Sequence, residues 1–101
     1  MPFVCVLTIH LHFPYAGSLK GKRKQVTPLK RQLQRRFGAT VAETDHHELW
    51  QRATLTAALV GRRQGELSAA ADALQRFVES RHPDGARLER ELVSTDDLGA
   101  H

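Results

Sequence analysis

The chain has 101 residues, enough for one hydrophobic core and too few for two. Its apolar share of 41% and charged share of 26% are those of an ordinary globular protein, and a single cysteine, Cys5, excludes an internal disulfide. A pI near 9.8 favours polyanionic partners, and the charge is one-sided: residues 18–38, SLKGKRKQVTPLKRQLQRRFG, hold eight Lys and Arg and no acid, while residues 39–101 hold seven against all eleven Asp and Glu.

The opening MPFVCVLTI is apolar but lacks a basic leader and runs straight into HLHFPY. It is too short to span a bilayer and reads poorly as a signal peptide, so the expectation is a cytoplasmic protein with no membrane association. Residues 3–13 predict a strand. Phe3, Cys5, Leu7, Ile9, Leu11 and Phe13 alternate onto one face, with Val4, Val6, Thr8, His10 and His12 on the other. The second face is itself half apolar, which predicts a central strand. PYAG ends it.

Ser18 is the N-cap candidate of a first helix that runs to about Phe37, with Val26, Leu29, Leu33 and Phe37 at core spacing and Gly38 at its end. Pro28 allows two readings: a helix kinked at that point, or a separate turn over 18–25 leading into a helix at 28–37 that Thr27 caps. The kinked helix is preferred, because Val26 keeps register with Leu29 and Leu33.

ATVAETD predicts a second strand and WQRATLTAALVG a third, joined by a tight loop at His46–Leu49. On the third strand Ala53, Leu55, Ala57 and Leu59 share one face, and Arg52, Thr54 and Thr56 the other. ELSAAADALQRFVESR is the second helix, with Leu67, Ala70, Ala71, Leu74, Phe77 and Val78 as its apolar stripe. HPDG reads as a turn, ARLERELV as a last strand, and STDDLGAH as a polar tail. The expected domain therefore covers residues 1–94, with a flexible tail at 95–101. The order β-α-β-β-α-β, with right-handed crossovers, predicts an α+β ferredoxin-like sandwich: a split βαβ, four-stranded antiparallel sheet with both helices on one face. The other face of the sheet is left uncovered.

Two stretches carry a resemblance. SLKGKRKQV, followed by RFGATVAETDHHELWQRATL, resembles the YlxP-like family of small uncharacterised bacterial proteins with a ferredoxin-like fold. Ser18, Leu19, Lys20, Lys22 and Arg23 match its pattern at the first helix start. Val41, Ala42, Glu43, His46, Glu48, Arg52 and Ala53 match the second motif, and Trp50 also matches many members. His47 stands where Gln is usual and Glu48 where Asp is usual. Genes of this family often lie beside those for transcription elongation, translation initiation and ribosome maturation factors. The resemblance thus implies a setting in RNA biology, without a biochemical activity.

The basic run is the leading functional candidate. Lys20, Lys22, Arg23 and Lys24 crowd a helix N-terminus, where the macrodipole disfavours cations, so stability alone would place acids there. Exposed N–H groups ringed by Lys and Arg make a phosphate seat, with Ser18 at the cap, and Lys30, Arg31, Arg35 and Arg36 extend the charge along the helix. The expected partner is RNA or the ribosome. The uncovered sheet face lacks the paired aromatics that stack bases in an RNA recognition motif, so contact would be led by the backbone. The competing reading is a protein-interaction or homodimer module on that face, with Val4, Val6, Ala58 and Val60 apolar and Thr8, His10, His12, Arg52, Thr54 and Thr56 polar.

Glu43, Asp45, His46, His47 and Glu48 lie within six positions, but no spacing of metal ligands emerges, and His10 and His12 stand about 7 Å apart on a strand. Neither a metal nor a cofactor is expected. The structural reading is that Glu43, His46 and Arg52 pair across the hairpin and hold its register. Trp50 at the loop edge either anchors the hairpin in the core, the preferred reading, or stacks on a base. Cys5 belongs to the core, and no catalytic residue is assigned, since no phosphate loop, nucleophile elbow or carboxylate pair is present.

Overall fold

The computed structural model describes residues 2–98, in the order β1 (Phe3–His12), α1 (Leu19–Phe37), β2 (Thr40–Asp45), β3 (Arg52–Gly61), α2 (Gln64–Arg81) and β4 (Ala86–Ser94). The strands pair antiparallel in the order β2-β3-β1-β4. This is the ferredoxin-like arrangement. α1 lies against β2 and β3, and α2 against β1, β3 and β4.

Alternation decides which face of the sheet is covered. Cys5, Leu7, Ile9 and Leu11 of β1 and Ala53, Leu55, Ala57 and Leu59 of β3 are buried and directly cross-paired, Cys5 with Leu59 and Leu7 with Ala57. Against them pack Val26, Leu29 and Leu33 of α1 and Leu67, Ala71, Leu74 and Val78 of α2. Phe13 closes the core beyond β1, edge-on to His82 with ring centroids 5.5 Å apart. Arg90 is on the helix side of the edge strand β4, and its guanidinium donates to Asp72 Oδ1 at 2.8 Å and to the Gln75 side-chain carbonyl at 2.7 Å, tying β4 to α2.

α1 runs unbroken through Pro28, which excludes a separate turn over 18–25. Pro28 is on the solvent side, so the Lys24 carbonyl that lacks a helical donor can meet water instead. At the start, the Ser18 hydroxyl accepts the Gly21 N–H at 2.9 Å. At the end, Gly38 takes φ 65 and ψ 25 and donates to Gln34 O at 3.1 Å, a left-handed cap that suits glycine. Gly85 answers a different need. His12 N–H donates to Gly85 O at 2.8 Å, and a β-carbon at 85 would lie 2.6 Å from the His12 carbonyl oxygen.

The start of the expected tail is built into the domain. Ser94 caps a 3-10 turn at Thr95–Asp97, and Thr95 N–H donates to Pro2 O at 3.0 Å. The rest of the tail, residues 99–101, lies outside the described residues.

Candidate nucleic-acid interface

Helical period sorts the eight cations of residues 18–38 into two groups. Lys20, Lys24, Arg31 and Arg35 fall on one stripe opposite the core, and all four are exposed. At 1.5 Å per residue this line is about 22 Å long. Arg23 and Lys30 flank it on one side. Arg36 lies on the other, its guanidinium carbon 4.6 Å from the centre of the Phe77 ring, with Arg81 at 5.0 Å from the same ring. Among the described residues, ion pairs within 4 Å are made by His10, Lys22, His46, Arg63, Arg87 and Arg90. None of the outward cations of α1 has one. The first turn contains no acid, and Ser18 serves as the helix cap.

Lys22 corrects the sequence expectation. It is 2% exposed, and its ammonium cannot meet a phosphate in solvent. It belongs to the inward stripe with Val26, Leu29 and Leu33, at spacings i, i+4, i+7 and i+11. Nζ donates to Glu43 Oε2 at 3.1 Å and reaches three backbone carbonyls, of His46 at 2.9 Å, His47 at 3.3 Å and Arg52 at 3.2 Å. A buried ammonium with a counter-ion and this many acceptors is fully satisfied.

The hairpin is therefore held differently from the pairing that its sequence suggests. Glu43 turns to the helix side like Val41 and accepts from Lys22; it pairs with neither Arg52 nor His46. Arg52 supplies only its carbonyl to the knot. His46 gives its carbonyl as well, sits at φ 63, and has its N–H accepted by Asp45 Oδ1 at 2.7 Å. The His47 ring nitrogen Nε2 bonds Glu43 O at 3.0 Å. On the far side, Gln51 Nε2 donates to Pro14 O at 3.1 Å and Phe13 N–H donates to Gln51 O at 2.7 Å.

Trp50 is the second correction. It is 54% exposed, not a core anchor, because Phe13 already fills the core at this end while the loop carbonyls converge on Lys22 and turn the loop tip outward. An open cavity of about 390 Å³ is lined by His12, Glu48, Leu49, Trp50, Gln51 and Arg52. Of the five exposed large apolar side chains among the described residues, Tyr15, Leu49 and Trp50 gather at this end of the sandwich. The exposure of Tyr15 had no signal in the sequence beyond its place in a turn.

Elsewhere the titratable groups read as structural. Burial pushes the Cys5 thiol up, with Arg90 partly opposing, which leaves it an unreactive core group. Burial lowers His82, and the neighbouring Arg81 charge lowers it further. A hydrogen bond and charge from Arg87, aided by His10, hold the exposed Glu89 carboxyl down against a small opposing burial effect. Among the described residues, no three His, Cys, Asp or Glu side chains are placed to share a metal ion, and no helix is long and apolar enough to cross a membrane.

A ferredoxin-like sandwich whose first helix presents outward cations with no ion pair among the described residues is the class these observations define. The chain matches the family described as a protein of unknown function, DUF503, over residues 4–91, and it belongs to that family. No curated protein matches it. Among solved structures it is similar to the de novo designed protein Foldit4, at 7% identity and a TM-score of 0.60, over 93% of this chain and 98% of that one. It also aligns with a de novo designed protein, LFR1 1 with ferredoxin fold, at 14% identity and a TM-score of 0.46, over 100% of this chain and 91% of that one. The first likeness shows the fold alone.

Proposed function

We propose that this protein is a non-catalytic accessory factor of RNA or the ribosome, in the cytoplasm, and that it binds phosphate backbone through the outer face of α1. The observation that carries this reading is the line of Lys20, Lys24, Arg31 and Arg35 without a carboxylate partner among the described residues. Like charges at i and i+4, as in Lys20/Lys24 and Arg31/Arg35, destabilise a helix by a few tenths of a kcal/mol, and Lys20 also opposes the macrodipole. An arrangement that costs stability in the free protein is offset when a polyanion lies along it. The YlxP-like resemblance of SLKGKRKQV adds a setting among RNA-handling genes.

Binding of single-stranded RNA measured against salt tests the proposal. Four contacted phosphates give a log–log slope of roughly −3. Replacing Lys24, Arg31 and Arg35 with Gln removes three of them and leaves a slope of about −0.7, with weaker binding to every RNA sequence. Affinity that ignores both salt and these substitutions overturns the reading.

A second reading rests on the uncovered sheet face. Val4 is directly opposite both Val60 and Val93, so one apolar row crosses three strands, and Val6 faces Ala58 beside it. Val60 is 74% exposed. Strands of 10, 6, 10 and 9 residues, about 4.8 Å apart, offer roughly 550 Å² per partner, just under the lower bound for a stable dimer. A homodimer packed sheet to sheet would leave both basic helices outermost. Light scattering at micromolar concentration, with Val6→Glu for comparison, distinguishes this dimer from a monomer.

A further inference from the structure

We infer that the tip of the β2–β3 hairpin is a stacking site for one unpaired base of single-stranded RNA, with Trp50 as the platform. The inference rests on the phosphate-binding reading above and extends it from backbone to base. It starts from a contrast within six residues. The backbone of the hairpin loop is fixed from both sides: Lys22 holds the carbonyls of His46, His47 and Arg52, Leu49 N–H donates to His46 O at 3.1 Å, and Gln51 is tied to Pro14. Yet the two largest side chains on this fixed loop, Leu49 and Trp50, are turned to solvent at 45% and 54% exposure. A rigid loop that spends an indole outside the core is built for contact, and its ordering cost is already met before a ligand arrives.

The surroundings favour a nucleotide over an apolar protein segment. His12 and Arg52, direct cross-strand partners, line the same cavity as Trp50, and the Arg52 guanidinium has no carboxylate within 4 Å among the described residues. Both can donate to phosphate oxygens beside a stacked base. Glu48, also in the lining, accepts hydrogen bonds and so meets the N–H edge of a base. Lys22 joins this loop to the first turns of α1, so the loop that carries Trp50 is tied to the helix that carries the basic stripe. An exposed aromatic face beside basic side chains, here Arg52 and His12, suits a single strand, and a paired base does not offer the face that Trp50 requires.

Trp50 is the only tryptophan, so its fluorescence reports the site directly. The experiment titrates the protein with a single-stranded RNA oligomer, an abasic oligomer of equal length, and an RNA duplex. The expected result is strong quenching by the single strand and little by the other two. Trp50→Ala should lose about five- to a hundred-fold in affinity for the single strand while binding the abasic oligomer unchanged. Trp50→Phe should retain most of it, and an unchanged melting temperature confirms that both variants fold. The Lys24, Arg31 and Arg35 to Gln variant should lose affinity for all three, yet still show quenching at saturating single strand. Equal affinity of wild type and Trp50→Ala, without quenching, overturns the stacking site and leaves the loop tip to a protein partner. If in addition the abasic oligomer fails to bind, the phosphate reading falls with it.

Discussion

On α1, the inward stripe of Lys22, Val26, Leu29 and Leu33 and the outward stripe of Lys20, Lys24, Arg31 and Arg35 use the same kind of residue for opposite ends. Lys22 and Lys24 stand two positions apart. The first is enclosed by a carboxylate and three carbonyls and fixes a hairpin; the second faces water with no partner within ion-pair distance among the described residues. A buried cation is part of the fold because leaving its partners unmet is costly, whereas an exposed one adds little to the fold and is free to meet a ligand. Net charge counted along a sequence merges these two roles, and only the helical period separates them.

The sharpest way to break that contrast is to treat the two lysines alike. Lys22→Met leaves Glu43 without its cation beneath the hairpin and should cost about 3–5 kcal/mol. In a domain of this size the melting temperature should fall by more than about 10 °C. Lys24→Met should stay within about 0.5 kcal/mol of wild type. Adding Glu43→Leu to Lys22→Met should recover much of the loss, because it removes the uncompensated carboxylate. Thermal unfolding of the three variants and the wild type decides, and a Lys22→Met protein as stable as Lys24→Met would sink the distinction.

The sequence made most of the fold legible, because strand alternation and helix period act locally. Cys5 to Leu11 alternate into the core as expected, and the helix stripes are buried at Val26, Leu29, Leu33, Leu67, Ala71, Leu74 and Val78, with Phe37, Ala70 and Phe77 partly buried at their edge. Ser18 and Gly38 cap α1 as their residue types predict. The site was legible in composition but not in direction. Lys22 lies on the apolar stripe and Glu43 shares its strand face with Val41, so the buried pair was readable from period alone; the density of positive charge around it hid the signal. Trp50 was not readable in this way. Its exposure depends on three loop carbonyls turning toward one ammonium, and on Phe13 reaching the core first, both of which are contacts between distant parts of the chain.

Pro28 sharpens the contrast from the outer side. It lies among Lys24, Arg31 and Arg35 on exposed helix surface, and it removes one backbone hydrogen bond from the helix interior. Pro28→Ala should therefore stabilise the protein by about 1–3 kcal/mol, raising its melting temperature. RNA affinity and its salt slope should not change, because the cations keep their helical positions. A gain in stability with a loss of binding would show that the outer stripe depends on a local distortion at Pro28 and not on charge alone.

The smallest effect concerns pH, where the inward–outward contrast recurs between His82 and Glu89. His82 packs against Phe13 at the end of α2, and burial, reinforced by Arg81, lowers its pKa below the ordinary 6.5. Between that lowered value and 6.5 the unfolded chain binds a proton that the folded protein does not, so stability falls as pH drops through this window and levels off below it. Glu89 has the same sign of dependence in a lower window. Arg87 holds its pKa below 4.5, so its contribution is present above 4.5 and is lost only as pH falls through the lower, folded value. Because Glu89 is exposed, that loss is screened and small. Melting temperatures at pH 7.5 and 5.5 isolate the histidine, since the Glu89 window lies lower. Wild type should lose more stability between the two than His82→Gln, which cannot take up the proton. A parallel decline in the two proteins would remove His82 as the source, and with it the view that the Phe13–His82 contact closes the core by keeping the imidazole neutral.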